Sequence, residues 1–202
     1  MKGSLRLKAG CHVEHPENLF EGFEVFDRCI RANISIENIE SIFRHFILEH
    51  CEPLFFILEL PSSRDEETAS SSGIGSSFHM DVYYIDGCSQ ETALSILTRA
   101  GNILFNDGLS SFGFGCHESG DEILFGKYNV LTLFSNRIES YIGFFEGHGI
   151  ARVEKLITAL DTFSSEHPGD SYRYEENGMT VFDIPNSFKE LGIYLAERRT
   201  LV

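Results

Sequence analysis

The chain has 202 residues, 42% of them hydrophobic, with 18 Phe and no Trp, and carries 31 acidic against 16 basic side chains for a formal charge of −15. That much apolar material excludes a mainly disordered chain and suits one domain over residues 1–202. The charge opposes binding to nucleic-acid phosphates or anionic lipid, which depends on Lys and Arg, and favours basic partners.

The N-terminal 17 residues, "MKGSLRLKAGCHVEHPE", hold no secretory-type apolar run and read as an irregular lead-in. A short helix is expected between Asn18 and Ile30. "SIENIESIFRHFILEH" then places Ile36, Ile39, Ile42, Phe43, Phe46 and Ile47 on one helical stripe, with Ser35 at the N-cap position and His50 near the stripe's end. "LFFILEL" (54–60), closed by Pro61, reads as a strand covered on both faces. The Ser-rich stretch 61–77 reads as a mobile loop. In "FHMDVYYIDG" (78–87) the alternation sets Phe78, Met80, Val82 and Tyr84 toward a core and His79, Asp81 and Tyr83 away from it.

Ser89 caps a helix whose stripe is Ala93, Ile96, Leu97, Ala100 and Leu104. "SSFGFGCH" and "EILFGKYNVLTLF" follow as strands joined by the turn "ESGD". "YIGFFEGHG" (141–149) fits strand or helix equally. A helix is predicted over 150–163, a second hairpin turning at Asn177-Gly178, and a last helix opened by a capping box from Ser187 to Glu190 that buries Phe188, Leu191 and Leu195. The fold class is α+β: a mixed, largely antiparallel sheet with several hairpins and four to five helices, an order that can be written as repeated ββα units.

No reactive constellation emerges. In "FGFGCH", strand alternation turns Cys116 inward with Phe112 and Phe114 and turns His117 outward, so the two cannot pair as nucleophile and base. "CHVEH" (Cys11, His12, Glu14, His15) lacks a second ligand pair at zinc-site spacing, and His45 and His50 stand about 140° apart on a helix. "GDEILFGKY" has one residue too many between its glycines for a phosphate loop, and in "GHGIAR" Arg152 replaces the third glycine of a dinucleotide fingerprint. Neither a catalytic residue, a cofactor nor a metal is therefore assigned. The five scattered cysteines, none in a C-x-x-C pair, read as reduced thiols of a cytoplasmic protein.

Two functions fit. The first is an acidic protein-binding, inhibitory protein that docks a basic partner such as a toxin, through Asp65, Glu66, Glu67, Glu118, Asp121 and Glu122 with Tyr83 as an exposed aromatic anchor. In that character (small, acidic, poor in motifs) the chain is similar to bacterial toxin-immunity proteins. The second is an enzyme or small-ligand-binding domain with its site around His79, Asp81 and His117.

Overall fold

The structure, a computed structural model, describes residues 5–62 and 78–201. Residues 63–77, which contain Asp65, Glu66 and Glu67 and most of the Ser-rich stretch, lie outside the described residues.

The eleven strands described are β1 (Cys11–His12), β2 (Gly22–Phe26), β3 (Cys29–Asn33), β4 (Leu54–Pro61), β5 (Phe78–Cys88), β6 (Ser111–Cys116), β7 (Asp121–Phe125), β8 (Val130–Phe134), β9 (Ala151–Arg152), β10 (Asp170–Ser171) and β11 (Tyr194–Leu201). The four α-helices among the described residues are α1 (Ile36–Glu49), α2 (Gln90–Asn106), α3 (Ile138–Gly147) and α4 (Ile184–Ser187). Nine strands form one sheet in the order β11-β5-β4-β6-β7-β8-β3-β2-β9, antiparallel throughout except where β9 joins β2. β1 and β10 make a separate antiparallel pair. Repeated ββα units are not confirmed: β2, β3 and α1 and again β4, β5 and α2 follow that order, but three strands, β6, β7 and β8, precede α3, and the segments 150–163 and 171–193 do not continue it.

All four helices cover one face of the sheet. Phe56 and Leu58 of β4, Phe112, Phe114 and Cys116 of β6, Ile123 and Phe125 of β7 and Leu131 and Leu133 of β8 point into that layer, against Phe43 and Phe46 of α1 and Leu104 of α2. Burial of these side chains is the main source of stability. The predicted stripes of α1 and α2 are inside, and the Ser89 Oγ accepts the Thr92 N–H at 3.0 Å as an N-cap should. The Ser35 Oγ is instead taken by the Arg6 N–H. Cys116 is in the core and His117 outside it, as the alternation requires.

Several expected elements fold otherwise. Residues 18–30 form a 3-10 turn and the β2–β3 hairpin, because Phe23 and Val25 face the core on alternate positions and Asp27 takes a left-handed turn conformation. The helix expected over 150–163 is β9, a loop and a 3-10 turn. There the buried Glu24 carboxylate accepts the Leu156 N–H at 2.9 Å and Asn33 donates to the Ile157 carbonyl at 2.8 Å, so tertiary partners replace helical ones. The Asn177-Gly178 turn forms, but only a single bridge between Glu176 and Met179 flanks it.

The last helix is short. Gly192, at φ +82, ends the helical segment, and residues 194–201 become β11, whose Leu195 is exposed. The capping box lies earlier, with Thr180 donating its N–H to Asp183 at 2.9 Å. The lead-in is not loose either: Leu5, Cys11 and Val13 join Leu19, Tyr128 and Ala159 in a second small core. Beside it Lys8 is buried with its Nζ 4.3 Å from the Phe125 ring centre, and burial lowers its pKa to about 8.

Candidate functional site

The strand register brings the β2–β3 turn, the start of β4, the end of β5, the β6–β7 turn and the end of β8 to one end of the sheet, through the pairs Leu54–Cys88, Leu54–Cys116, Cys116–Asp121, Glu122–Phe134, Cys29–Phe134 and Phe26–Cys29. The helix termini at that end are tied in by hydrogen bonds. Glu52 accepts the Gln90 N–H at the start of α2, and Arg137, at the start of α3, donates to the Glu49 carbonyl. Exposed there are the acids Asp27, Glu49, Glu52, Asp86, Glu91, Glu118 and Glu139, against Arg28 and Arg137. The acidic end is therefore built from five connections distant in sequence.

The three acids expected to act together at 118–122 occupy three environments. Glu118 is exposed on the turn. Asp121 is not a surface residue: it is 1% exposed, is hydrogen-bonded to His50 Nε2 at 2.8 Å and accepts hydrogen bonds from the Ser135 hydroxyl (2.8 Å) and the Asn136 N–H (3.1 Å). Burial alone would raise its pKa, but the bonds from His50, Ser135 and Asn136 outweigh it and hold the carboxyl below its usual range. His50 donates from Nδ1 to the Phe46 carbonyl at 2.7 Å. This is a sealed clamp joining α1, the β6–β7 turn and the β8–α3 junction. Its serine touches the aspartate rather than the histidine, so it lacks the order of a nucleophilic triad.

Glu122 lies on the face of the sheet away from the helices. It is half-buried, makes no hydrogen bond or ion pair among the described residues, and its pKa is raised, first by burial and then by the neighbouring Glu59. Glu59 itself is paired with Arg199 at 2.7 Å. In register with Glu122 across β8, β3 and β2 run Phe134, Cys29 and Phe26. Phe134 is 49% and Phe26 51% exposed, a large apolar area for two side chains on one row. Leu124 and Thr132 continue the patch on the next row, and the Arg31 guanidinium stands 5.9 Å from the Phe26 ring. Toward β4 the row ends at Phe55, whose ring lies over Gly115 where any Cβ would collide with it, and His117 packs on that ring with its Nε2 3.6 Å from Asp86.

At the opposite end, β4, β5 and the segment from 182 to 195 enclose a cleft of about 340 Å³. Its apolar walls include Leu60, Phe182, Ile193 and Leu195; its polar groups are Ser62, Asp81, Tyr83, Asn186 and Lys189. Asp81 takes both nitrogens of Arg198, at 2.6 and 2.9 Å, and the Ser62 hydroxyl at 3.0 Å. The Arg198 bond is the main cause of its lowered pKa.

The face expected to be solvent-directed on β5 is thus turned to the helical side, where Tyr83 packs against the core and Ile85 enters it, while Val82 and Tyr84 pack with Phe55, Ile57 and Leu124 on the other face. Tyr83 is consequently a half-buried cleft residue rather than an exposed anchor. The residues grouped as a ligand site separate: Asp81 lines the cleft, His79 meets Thr200 at 3.2 Å beside it, and His117 is at the acidic end on the other face.

The anchors Phe26 and Phe134 had no signal in the sequence, since one fell in an expected helix and the other closed a run read as strand interior. The Cys11–His15 cluster disperses, Cys11 into β1, His15 to Glu17 at 3.2 Å, and Glu14 to His167. Among the described residues no three His, Cys, Asp or Glu side chains converge as metal ligands, and no helix is long and apolar enough to cross a membrane. No protein-family model, curated protein or solved structure matches this chain.

Proposed function

We propose that this chain is an acidic binding protein that docks and inhibits a basic protein partner, a role of the kind bacterial toxin-immunity proteins fill, and that it works in the cytoplasm with its five cysteines as free thiols. The contact is the outer face at the acidic end. Phe26 and Phe134 are the aromatic anchors, Glu122 the buried charge, and Glu118, Asp27 and Asp86 the rim.

Glu122 carries the reading. A half-buried carboxylate next to Glu59, which Arg199 offsets only in part because it is paired with Glu59, costs stability in the free protein, and a Lys or Arg delivered by a partner removes that cost. The surrounding acids steer a basic molecule to the patch and add more to association rate than to final affinity. Aromatic anchors in the centre with charge at the rim is the usual arrangement of a protein–protein contact.

The test is co-purification from native cells with the tagged wild type, Glu122→Arg and Phe134→Ala, at low salt and at about 0.5 M salt, where screening shortens to a few ångströms. One stoichiometric basic protein should be held by the wild type, less at high salt, and at least about tenfold less by either variant. Equal capture by all three proteins, or capture of no basic protein, contradicts the proposal.

A further inference from the structure

The cleft at the other end of the sheet shares no residue with the docking patch, although its Tyr194 donates to the rim acid Asp86 at 2.6 Å, and it has the features of a small-ligand site. Its volume of about 340 Å³ falls in the range that holds small molecules, and it lies where the sheet gives way to the 182–195 segment. The polar groups that reach it are mostly donors. Asp81 is the one carboxylate in the lining, and its two oxygens already accept three hydrogen bonds from Arg198 and Ser62. Lys189 has no ion pair and the Asn186 and Tyr83 side chains no hydrogen bond among the described residues. Around them the walls are apolar: Leu60, Phe182, Ile193 and Leu195.

A neutral apolar guest would leave the Lys189 ammonium unanswered, and a cation would meet Lys189 with the acid already neutralised by Arg198. An anion on an apolar body satisfies both halves. We propose that this cleft binds a small monocarboxylate, its aryl or alkyl body against Phe182, Ile193 and Leu195 and its carboxylate on Lys189, with Asn186 and Tyr83 as further donors. The Asp81–Arg198 pair fixes the sheet-edge wall and touches the ligand little.

The probe is 3-phenylpropionate, titrated into the full chain and followed by two-dimensional amide NMR, with 3-phenylpropionamide as its uncharged counterpart. The acid should shift resonances of residues 60–62, 81–83 and 182–195 saturably, with a Kd on the order of 1 mM for so small a ligand. The amide and the Lys189→Gln variant should each bind about tenfold more weakly, the loss of one charge-assisted contact. Lys189 is exposed, so that variant folds, and an unchanged spectrum elsewhere confirms it. Leu195→Glu should abolish the shifts by setting a like charge at the mouth in place of an apolar wall. Acid and amide binding equally, Lys189→Gln binding like wild type, shifts confined to other parts of the chain, or no saturation by about 10 mM would each overturn the assignment.

Discussion

The two ends of the sheet each hold a buried aspartate on the helical side, and they are built to opposite effect. At the acidic end Asp121 is met by His50 at the end of α1 and by Ser135 and Asn136 of the β8–α3 junction. At the cleft end Asp81 is met by Arg198 and Ser62, and the surface beyond it is hollow. The same residue type on the same face is a clamp in one place and part of a wall in the other. Two segments converge on each carboxylate; what distinguishes them is the partner, since the His50 side chain is 1% exposed and the Arg198 side chain 54%. The acidic end compensates by leaving a different acid, Glu122, unpaired on the outer face.

The largest effect that would break this comparison is at the clamp. Asp121→Asn or His50→Ala should each destabilise by about 3–5 kcal/mol, as expected when one partner of a buried pair is lost, measured by urea unfolding with an unchanged m-value. Because the Asp121 carboxyl is held below its ordinary 3.8, its contribution is present above that pH and is lost as pH falls through the depressed value. A fully exposed, inconsequential Asp121 would show neither loss. Asp81→Asn should cost less, about 1 kcal/mol, since Arg198 is largely exposed and the pair is screened. Its pH dependence has the same sign, as its pKa is also lowered.

Glu122→Gln should go the other way and stabilise, by several tenths of a kcal/mol at neutral pH. Here the folded pKa is raised from 4.5, so the favourable contribution of Glu122 exists below that pH and is lost as pH rises through the raised value. The gap between variant and wild type should therefore close in acid. Thermal melts of both proteins from about pH 4 to about pH 7 read it directly. The smallest effect is at the rim: Glu118→Gln should leave stability unchanged within about 0.5 kcal/mol and only slow partner association at low salt.

Much of the fold could be read from the chain because it depends on local pattern. The α1 and α2 stripes, the both-faces burial of β4 and the inward turn of Cys116 follow from periodicity and need no knowledge of neighbours. Where tertiary partners decide, periodicity misled. Residues 150–163 carry a helical stripe, yet Glu24 and Asn33 claim their backbone groups, and residues 194–201 pair with β5 although their "ERR" suits a helix end. β5 was inverted because both of its faces are covered, which erases the contrast between core and solvent sides. At the candidate sites, exposed Glu118 and half-buried Glu122 were legible as acids near a turn. That Asp121 beside them turns inward depends on His50, 71 residues away. Phe26 and Phe134 come together only through the β2-β3-β8 register, which no single segment encodes.

The most direct test of the docking face is hydroxyl-radical footprinting of the chain alone and in complex with its captured basic partner, read by mass spectrometry at individual side chains. Phe26 and Phe134 should react readily in the free protein and become protected in the complex, while Leu195 at the cleft end keeps its reactivity. Protection of Leu195 with Phe26 and Phe134 still reactive would place the contact at the wrong end of the sheet and contradict the account.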